Sequence, residues 1–409
     1  MKKTLLLTSF VLAVFLLFSC GGDPAETEDL AQTEYATDIS TEETAMPAET
    51  EEVSAAETES AEIEYITDVD LRAKAVEYMH RMANVEWTLS DDTTLDFSAI
   101  SHALVYTPGK YLGFIYNHAC SCVEDFEDLI AAGPYSNPGA RAGDTPGNTC
   151  STSILAAWQT VSPNVDYSYT IDMMPGVREN GVIPVGNVPW DKYDGSATVK
   201  GNTQTSVLGA MERNDVFEAY ALVRPGDAFM RQLENGGHAL MVTGDTVVVR
   251  NSDGTVKPDR SYVILTDQNS VINTKREFPS SWGYDVKSSF VSVYSEGYLP
   301  VTLPELVENK TERPYFKLDD GCDLSNLQYG RISCKVVSNY NINDVFITVS
   351  KDGTDVLSAS LHPHKKNASI SYAVRNLGIE KLESGTYRLT VTASTPLASE
   401  TVLEAEFTK

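Results

Sequence analysis

Apolar residues recur every three to four positions along parts of the first two thirds of the chain, as in helices that bury one face. The clearest such stretch starts at Val69, with Asp68 or Asp70 as the capping residue. Its apolar positions are Leu71, Ala75, Tyr78, Met79 and Met82. Further helices are predicted over residues 123–132, 151–160 and 207–212, whereas residues 216–223 fit either type of element.

After residue 225 the pattern changes to the alternation of strands. Strands are predicted over residues 228–232, 238–243, 246–250, 262–266 and 286–294. A long irregular segment, residues 165–206, separates them from the helices. Helices followed by an antiparallel sheet make an α+β layout, and we assign this domain to residues 69–310.

The last hundred residues contain short strands at even spacing, as in an all-β domain. They are predicted over residues 330–337, 343–351, 356–361, 369–374, 386–393 and 402–407. We expect an immunoglobulin-like β-sandwich over residues 311–409, with no chemistry of its own and with a possible protein or glycan partner.

The first 20 residues have the layout of a secretory signal peptide. Lys2 and Lys3 precede an apolar run over residues 5–18, which is too short to span a bilayer comfortably. The run ends at Ser19-Cys20-Gly21 and resembles a bacterial lipobox, so we expect Cys20 to be lipidated and to anchor the protein on the outer face of the bacterial cell membrane. A soluble secreted protein is the alternative.

Residues 21–68 carry a strong negative charge. Between Asp23 and Asp68 there are sixteen Asp or Glu and no Lys or Arg, which predicts a disordered tether. This segment supplies more than half of the net charge of −27. The chain has no basic stripe, so nothing in it indicates a nucleic-acid partner.

The cysteine count indicates at least one free thiol. With Cys20 lipidated, five cysteines remain, and an odd number in an exported protein leaves one unpaired. Cys150 is our candidate for that thiol. Cys322 and Cys334 are close enough in sequence to close a small loop.

Cys150 and His238 have the settings that a thiol nucleophile and its base require. Cys150 opens the predicted helix GNTCSTSILAAW, and a helix N-terminus stabilises a thiolate. His238 opens the strand of GGHALMVTG, and a strand holds an imidazole in place while it exchanges a proton. The alternatives without catalysis are that Cys150 is a buried, inert cysteine and that His238 is an ordinary polar residue at the start of a strand.

His118, Cys120 and Cys122 form a second cluster of chemically active residues. Structural zinc sites use four ligands in pairs with two to four intervening residues, whereas this cluster has three candidates with one intervening residue each. We therefore expect loop packing or a disulfide here, with no metal site and no cofactor.

The set RPGD…GGHALMVTG, together with the preceding cysteine helix, resembles NlpC-type and CHAP-type cell-wall cysteine peptidases. The string YLGFIY is similar to the tyrosine segment of those enzymes, which implies that Tyr116, with Tyr111 as the second candidate, lies beside the nucleophile. The resemblance covers residues 107–293 and implies a papain-like fold. Thr149-Cys150-Ser151-Thr152 departs from the family's Asp-Cys-Ser-Gly, and the loop over residues 165–207 is unusually long.

A triad of this kind needs a third polar group that orients the imidazole. The strand over residues 262–266 ends in Asp267-Gln268-Asn269. Gln268 and Asp267 lie on opposite faces of that strand, and we favour Gln268 while keeping Asp267 as the alternative.

The resemblance implies an endopeptidase or amidase that acts on the peptide part of peptidoglycan. A non-catalytic binding or adhesion lipoprotein on a degenerate peptidase scaffold is a second hypothesis. A transglutaminase-like acyl transferase is a third, because it uses the same cysteine and histidine chemistry.

Overall fold

The structure is a computed structural model that describes residues 63–139, 142–166, 169–175, 181–192, 207–233 and 236–409. The fold mixes helices with antiparallel sheet, as expected for the α+β class. The α-helices are α1 (Leu71–Asn84), α2 (Val123–Ala131), α3 (Cys150–Gln159), α4 (Arg213–Tyr220), α5 (Phe290–Ser295), α6 (Pro304–Glu308) and α7 (Ser371–Asn376).

The strands up to residue 312 belong to the first domain. They are β1 (Tyr65–Ile66), β2 (Glu86–Leu89), β3 (Leu95–Asp96), β4 (Val105–Tyr106), β5 (Gly109–Leu112), β6 (Ile183–Pro184), β7 (Ala228–Leu233), β8 (Gly236–Val247), β9 (Tyr262–Asn273), β10 (Ser280–Ser289), β11 (Leu299–Thr302) and β12 (Thr311–Glu312). Six of them form the main sheet in the order β10-β9-β8-β7-β11-β6.

Helix α1 starts where the sequence predicts, because the side chain of Asp70 accepts a hydrogen bond from the Ala73 N–H over 3.0 Å. The five apolar positions predicted for its inner face are all buried. They pack against α3 and the main sheet, so this helix closes one side of the core.

The turn at Gly226-Asp227 joins the helices to the sheet. The buried carboxylate of Asp227 accepts hydrogen bonds from Arg72 on α1 over 2.8 Å and from the Arg224 N–H over 2.7 Å. The indole N–H of Trp158 on α3 donates to the Gly226 carbonyl over 2.8 Å. These bonds fix α3, and the residue that begins it, against the sheet.

Several predicted elements of this domain differ in the structure. Residues 238–243 and 246–250 are not two strands, since β8 runs without a break to Val247. Residues 290–295 are helical because Ser289 caps them, accepting from the Ser292 N–H. Residues 207–212 hold only a short 3₁₀ turn, and the helix lies instead at α4, in the segment whose type was ambiguous.

The C-terminal residues form two larger antiparallel sheets and a two-stranded one around a second apolar core. The strands are β13 (Phe316–Leu318), β14 (Asp323–Asn326), β15 (Arg331–Ser333), β16 (Lys335–Ile342), β17 (Asp344–Lys351), β18 (Thr354–Leu361), β19 (Lys365–Ser369), β20 (Thr386–Thr395) and β21 (Ala398–Thr408). Sheet β13-β16-β19 faces sheet β18-β17-β20-β21, and β14 pairs with β15.

Alternation places Val345, Ile347 and Val349 in this core, as predicted. The strand predicted over residues 369–374 is wrong, because β19 ends at Ser369 and α7 follows. Cys322 and Cys334 form a disulfide, as their spacing suggested.

Ordered structure begins before the predicted end of the tether. Residues 65 and 66 form β1, which pairs with β12 at the junction of the two domains, so this part of the predicted disordered segment is a strand. The predicted signal peptide, Cys20 as the predicted lipidation site, and residues 21–62 of the predicted tether lie outside the described residues. In the described part of the chain, no helix is both long and apolar enough to cross a membrane.

Candidate active site

Cys150 is the first residue of α3, and its local sequence explains that position. The side chain of Thr149 accepts a hydrogen bond from the Thr152 N–H, and the Thr149 N–H donates to Oγ1 of Thr152 over 2.7 Å. This reciprocal capping box starts the helix at residue 150. The thiol therefore sits at the positive end of a ten-residue helix, which favours its anionic form.

The segment ahead of Cys150 is held against a neighbouring stretch of backbone. The Asn148 N–H donates to the Ile115 carbonyl over 3.0 Å, and the Asn117 N–H donates to the Asn148 carbonyl over 2.9 Å. A Cβ at Gly147 would lie 2.6 Å from the Ile115 oxygen, so this close approach requires glycine. These contacts fix the backbone that leads into Cys150.

His238 is the third residue of β8. The preceding Gly237 lets this strand approach the loop that carries Thr170. A Cβ at residue 237 would lie 2.5 Å from Cβ of Thr170 and 2.6 Å from Oε1 of Gln232. Glycine at residue 237 therefore permits a close approach of chain segments directly before the histidine.

The structure brings the thiol and the imidazole together. The side chain of His238 and the Ala239 N–H both interact with the Cys150 thiol and lower its pKa. On the other side of the ring, Nε2 of His238 lies 3.0 Å from Oδ2 of Asp267. Since Nε2 is engaged by a carboxylate, Nδ1 is the ring nitrogen that remains for the thiol's proton.

The carboxylate of Asp267 is itself held in position. Oδ2 accepts a hydrogen bond from Nδ2 of Asn269 over 2.7 Å. On the adjacent strand Gly283 lies opposite Asp267, and a Cβ there would come within 2.4 Å of Oδ1. Glycine at residue 283 is therefore what leaves room for the carboxylate.

The preference for Gln268 as the orienting residue is wrong. Gln268 is fully buried on the opposite face of β9. Its Oε1 accepts from Ser153 on α3 over 2.9 Å, and its Nε2 donates to the Phe114 carbonyl over 2.8 Å. The residue that contacts His238 is the alternative, Asp267, while Gln268 connects helix α3 to the sheet and to the Phe114 carbonyl.

The electrostatics of the pair favour a thiolate beside an imidazolium. Burial by itself raises the pKa of the Cys150 thiol, but the charge and hydrogen bond of His238 more than offset this, so the pKa falls below its ordinary value. Burial likewise works to lower the pKa of His238. The negative charge of Cys150 and the hydrogen bond to Asp267 prevail and raise it to about 10.

The two tyrosines that the family resemblance pointed to lie in different places. Tyr116 lines the cleft beside Cys150, and its ring meets that of His118 edge-on at 6.3 Å between centroids. Its backbone N–H donates to the hydroxyl of Tyr106 over 3.0 Å, so its position is fixed.

Tyr111 is not part of the cleft, which corrects the weaker of the two tyrosine assignments. It is buried, and its ring stacks on Trp87 with centroids 4.9 Å apart. Its hydroxyl donates to the Thr107 carbonyl over 2.8 Å. These contacts make Tyr111 a core residue that closes a turn.

The cleft above the thiol has a volume of about 420 Å³, which lies within the range of small-molecule and peptide subsites. Its described lining is aromatic and neutral polar. It comprises Tyr116, His118, Cys120, Thr149, Cys150, Ser151, Thr152, Tyr169, Thr170, Ile171, Gln232, Gly236 and Gly237. Burial lowers the pKa of His118, which keeps this side chain neutral near pH 7.

The His118-x-Cys120-x-Cys122 segment does not act as one unit. His118 and Cys120 line the cleft, whereas the Cys122 sulfur accepts a hydrogen bond from the Asp125 N–H and caps α2. Neither Cys120 nor Cys122 is in a disulfide. Of the two alternatives given for this segment, loop packing or a disulfide, the disulfide is therefore wrong.

Sequence reasoning missed the residues that support Cys150, His238 and Asp267, namely Ala239, Asn269 and Gly283. One of them carried a usable signal. Asn269 lies two positions after Asp267, so strand alternation places both side chains on one face. The roles of Gly283 and the Ala239 N–H depend on which strands are neighbours, which the sequence does not state.

Comparison of the chain with models of known protein families, with curated proteins and with solved structures finds no match.

Proposed function

We propose that this chain is an exported, surface-anchored cysteine hydrolase that cleaves amide bonds, with the peptide part of peptidoglycan as its substrate. The observation that carries the proposal is the set Cys150–His238–Asp267, with the thiol at a helix N-terminus in an open cleft. We interpret the helical half with its antiparallel sheet as papain-like and the C-terminal domain as immunoglobulin-like.

The geometry suits a standard acyl-transfer cycle. His238 takes the thiol proton through Nδ1, and the thiolate of Cys150 attacks the amide carbonyl carbon to form a tetrahedral intermediate. When the intermediate collapses, the C–N bond breaks and the leaving amine takes the proton from His238. Water, deprotonated by His238, then attacks the thioester, which releases a carboxylic acid and restores the thiol.

Two groups are placed to stabilise the oxyanion of the intermediate. The Cys150 N–H belongs to the first turn of α3, where backbone N–H groups have no partner within the helix. Tyr116 lines the cleft next to it. Donors aimed at the developing charge typically account for the largest single share of rate acceleration in acyl transfer.

Export and anchoring rest on the N-terminal sequence and on the cysteines. The disulfide between Cys322 and Cys334 is typical of an oxidising compartment outside the cytosol. The proposed lipid on Cys20 and the acidic tether would hold the enzyme on the membrane while it reaches the cell wall.

The test is hydrolysis of purified peptidoglycan and of its peptide fragments. The reaction is measured as the release of new amino groups, and the products are identified by mass spectrometry. Wild-type protein should release them, Cys150→Ala should not, and the matched variant Cys120→Ser should retain activity. Incorporation of an added primary amine in place of hydrolysis would indicate an acyl transferase. Substrate binding without turnover in the wild type would leave the non-catalytic hypothesis.

A further inference from the structure

The C-terminal domain is seated on α2 through the segment between β18 and β19. Nε2 of His362 lies 2.9 Å from Oδ2 of Asp128 on α2, and its Nδ1 lies 2.7 Å from Oδ1 of Asp344. The ammonium of Lys366 donates to the Pro163 carbonyl over 2.7 Å. These contacts bring histidines of one domain to the first turns of a helix of the other.

His364, two residues further on, is unsatisfied in this interface. Its Nε2 is buried and has no hydrogen-bond partner among the described residues; Oε2 of Glu124 lies 3.9 Å away. Its backbone has φ 45°, in the left-handed region, which is uncommon for a residue other than glycine. A buried polar nitrogen without a partner, at a strained position, points to a ligand.

The groups that His364 faces form a mixed set of metal donors. The ligand atoms of Cys122, Asp125 and His364 all lie within 4.8 Å of one another. They comprise a sulfur, a carboxylate oxygen and an imidazole nitrogen, and Zn²⁺ is the common ion that accepts all three. Bonds to Zn²⁺ of ~2.0–2.3 Å put tetrahedral ligands roughly 3.5 Å apart, so small rotamer changes would close the site.

We propose that Cys122, Asp125 and His364 bind a Zn²⁺ ion that fastens the C-terminal domain to the hydrolase domain. Oε2 of Glu124 lies 3.9 Å from Nε2 of His364 and its other oxygen accepts from Arg81, so Glu124 flanks the site and is placed to hold a metal-bound water in the fourth position. Its carboxylate already accepts from the hydroxyl of Tyr78 over 2.9 Å, so its position is fixed. The ion would also steady the loop leading to Cys122, whose Cys120 lines the catalytic cleft. The proposal stands whether or not Cys150 is a nucleophile.

The proposed site differs from the sequence motif His118-x-Cys120-x-Cys122, with which it shares only Cys122. Cys120 is exposed toward the cleft and is not among the three clustered groups, although it lies only two residues from Cys122. His362 is fully occupied by two carboxylates. Cys120 and His362 are therefore matched controls for the two ligands Cys122 and His364.

The experiment uses the purified full-length chain with Cys150→Ser as the background, so that this thiol cannot bind metal. Bound metal is removed with a chelator, and the protein is then titrated with Zn²⁺ or Co²⁺. We expect about one equivalent of retained Zn²⁺, a rise in the unfolding temperature on adding Zn²⁺, and thiolate-to-cobalt charge-transfer absorption with Co²⁺. Cys122→Ser and His364→Ala should each lower the affinity by more than ~100-fold, since loss of a ligand exceeds the effect of an outer-shell change. Cys120→Ser and His362→Ala should bind as the background protein does.

Three results would overturn the proposal. The first is that the protein with all three ligands intact neither retains Zn²⁺ nor gains stability from it. The second is that charge-transfer absorption persists in Cys122→Ser. The third is that Cys120→Ser loses binding while Cys122→Ser retains it. Because the first measurement needs no ligand variant, it decides the matter even if a variant fails to fold.

Discussion

Replacing Asp267 by alanine removes the carboxylate that lies 3.0 Å from Nε2 of His238. Both side chains are mostly buried, with 15% and 11% of their surface exposed, so solvent screens the contact little. A hydrogen bond to a charged group in such a setting contributes about 1.5–3 kcal/mol. At ~1.36 kcal/mol for each factor of ten, its loss should lower kcat/KM roughly 10- to 160-fold.

Gly283→Ala tests the same contact without changing a triad residue. The new Cβ would lie 2.4 Å from Oδ1 of Asp267, well inside contact distance, so the carboxylate must move away from His238. We expect a loss of kcat/KM of the same order as in Asp267→Ala. Gly143→Ala is the matched control, because a Cβ there meets nothing within 4 Å.

The assay is steady-state hydrolysis of a peptidoglycan peptide, with urea unfolding measured in parallel to exclude general destabilisation. The reasoning is refuted if Asp267→Ala stays within about twofold of wild type. It is also refuted if Gly283→Ala loses no more activity than Gly143→Ala while Asp267→Ala is impaired, because the geometry requires both changes to act through one carboxylate.

Three further predictions concern pH and stability. The rate of hydrolysis should rise with pH already below 9.0, the ordinary thiol pKa, because His238 lowers the pKa of Cys150. The rate should fall as pH rises through about 10, where His238 loses its proton. A pH–rate profile that rises only above 9 would contradict this. Gln268→Leu leaves the buried Ser153 hydroxyl without its partner, while the Phe114 carbonyl keeps the indole N–H of Trp282; we expect a loss of about 1–3 kcal/mol in urea unfolding, and a change below ~0.5 kcal/mol would count against that role. The double variant Cys322→Ser/Cys334→Ser should lose about 3 kcal/mol of stability in the C-terminal domain, the value for a loop of this length, and an unchanged unfolding temperature would be inconsistent with it.

Local signals were sufficient where an element is decided by its own residues. Asp70 and the buried face of α1, the start of α3 at Cys150, and the alternation through Ile347 all follow from capping and periodicity. The strand predicted over residues 286–294 was wrong from Phe290 onward. Phe, Val and Tyr favour strands, but the cap at Ser289 and the packing at the end of the sheet favour a helix.

The parts that could not be predicted depend on which elements become neighbours. The choice between Asp267 and Gln268 is a choice of strand face, and irregular register between β8 and β9 prevents counting across the sheet. The approach of His364 to Cys122 joins residues from two domains. Periodicity describes single elements and does not describe such contacts.

The central claim is that His238 activates the thiol of Cys150, and site-resolved alkylation by iodoacetamide near pH 6 tests it most directly. Cys150 is only 5% exposed, whereas Cys120 is exposed in the same cleft, so accessibility alone favours Cys120. Because the thiolate is the reactive form, we predict that Cys150 is labelled faster than Cys120 and that His238→Ala abolishes the difference. Faster labelling of Cys120 in the wild type, or an unchanged Cys150 rate in His238→Ala, would contradict the account.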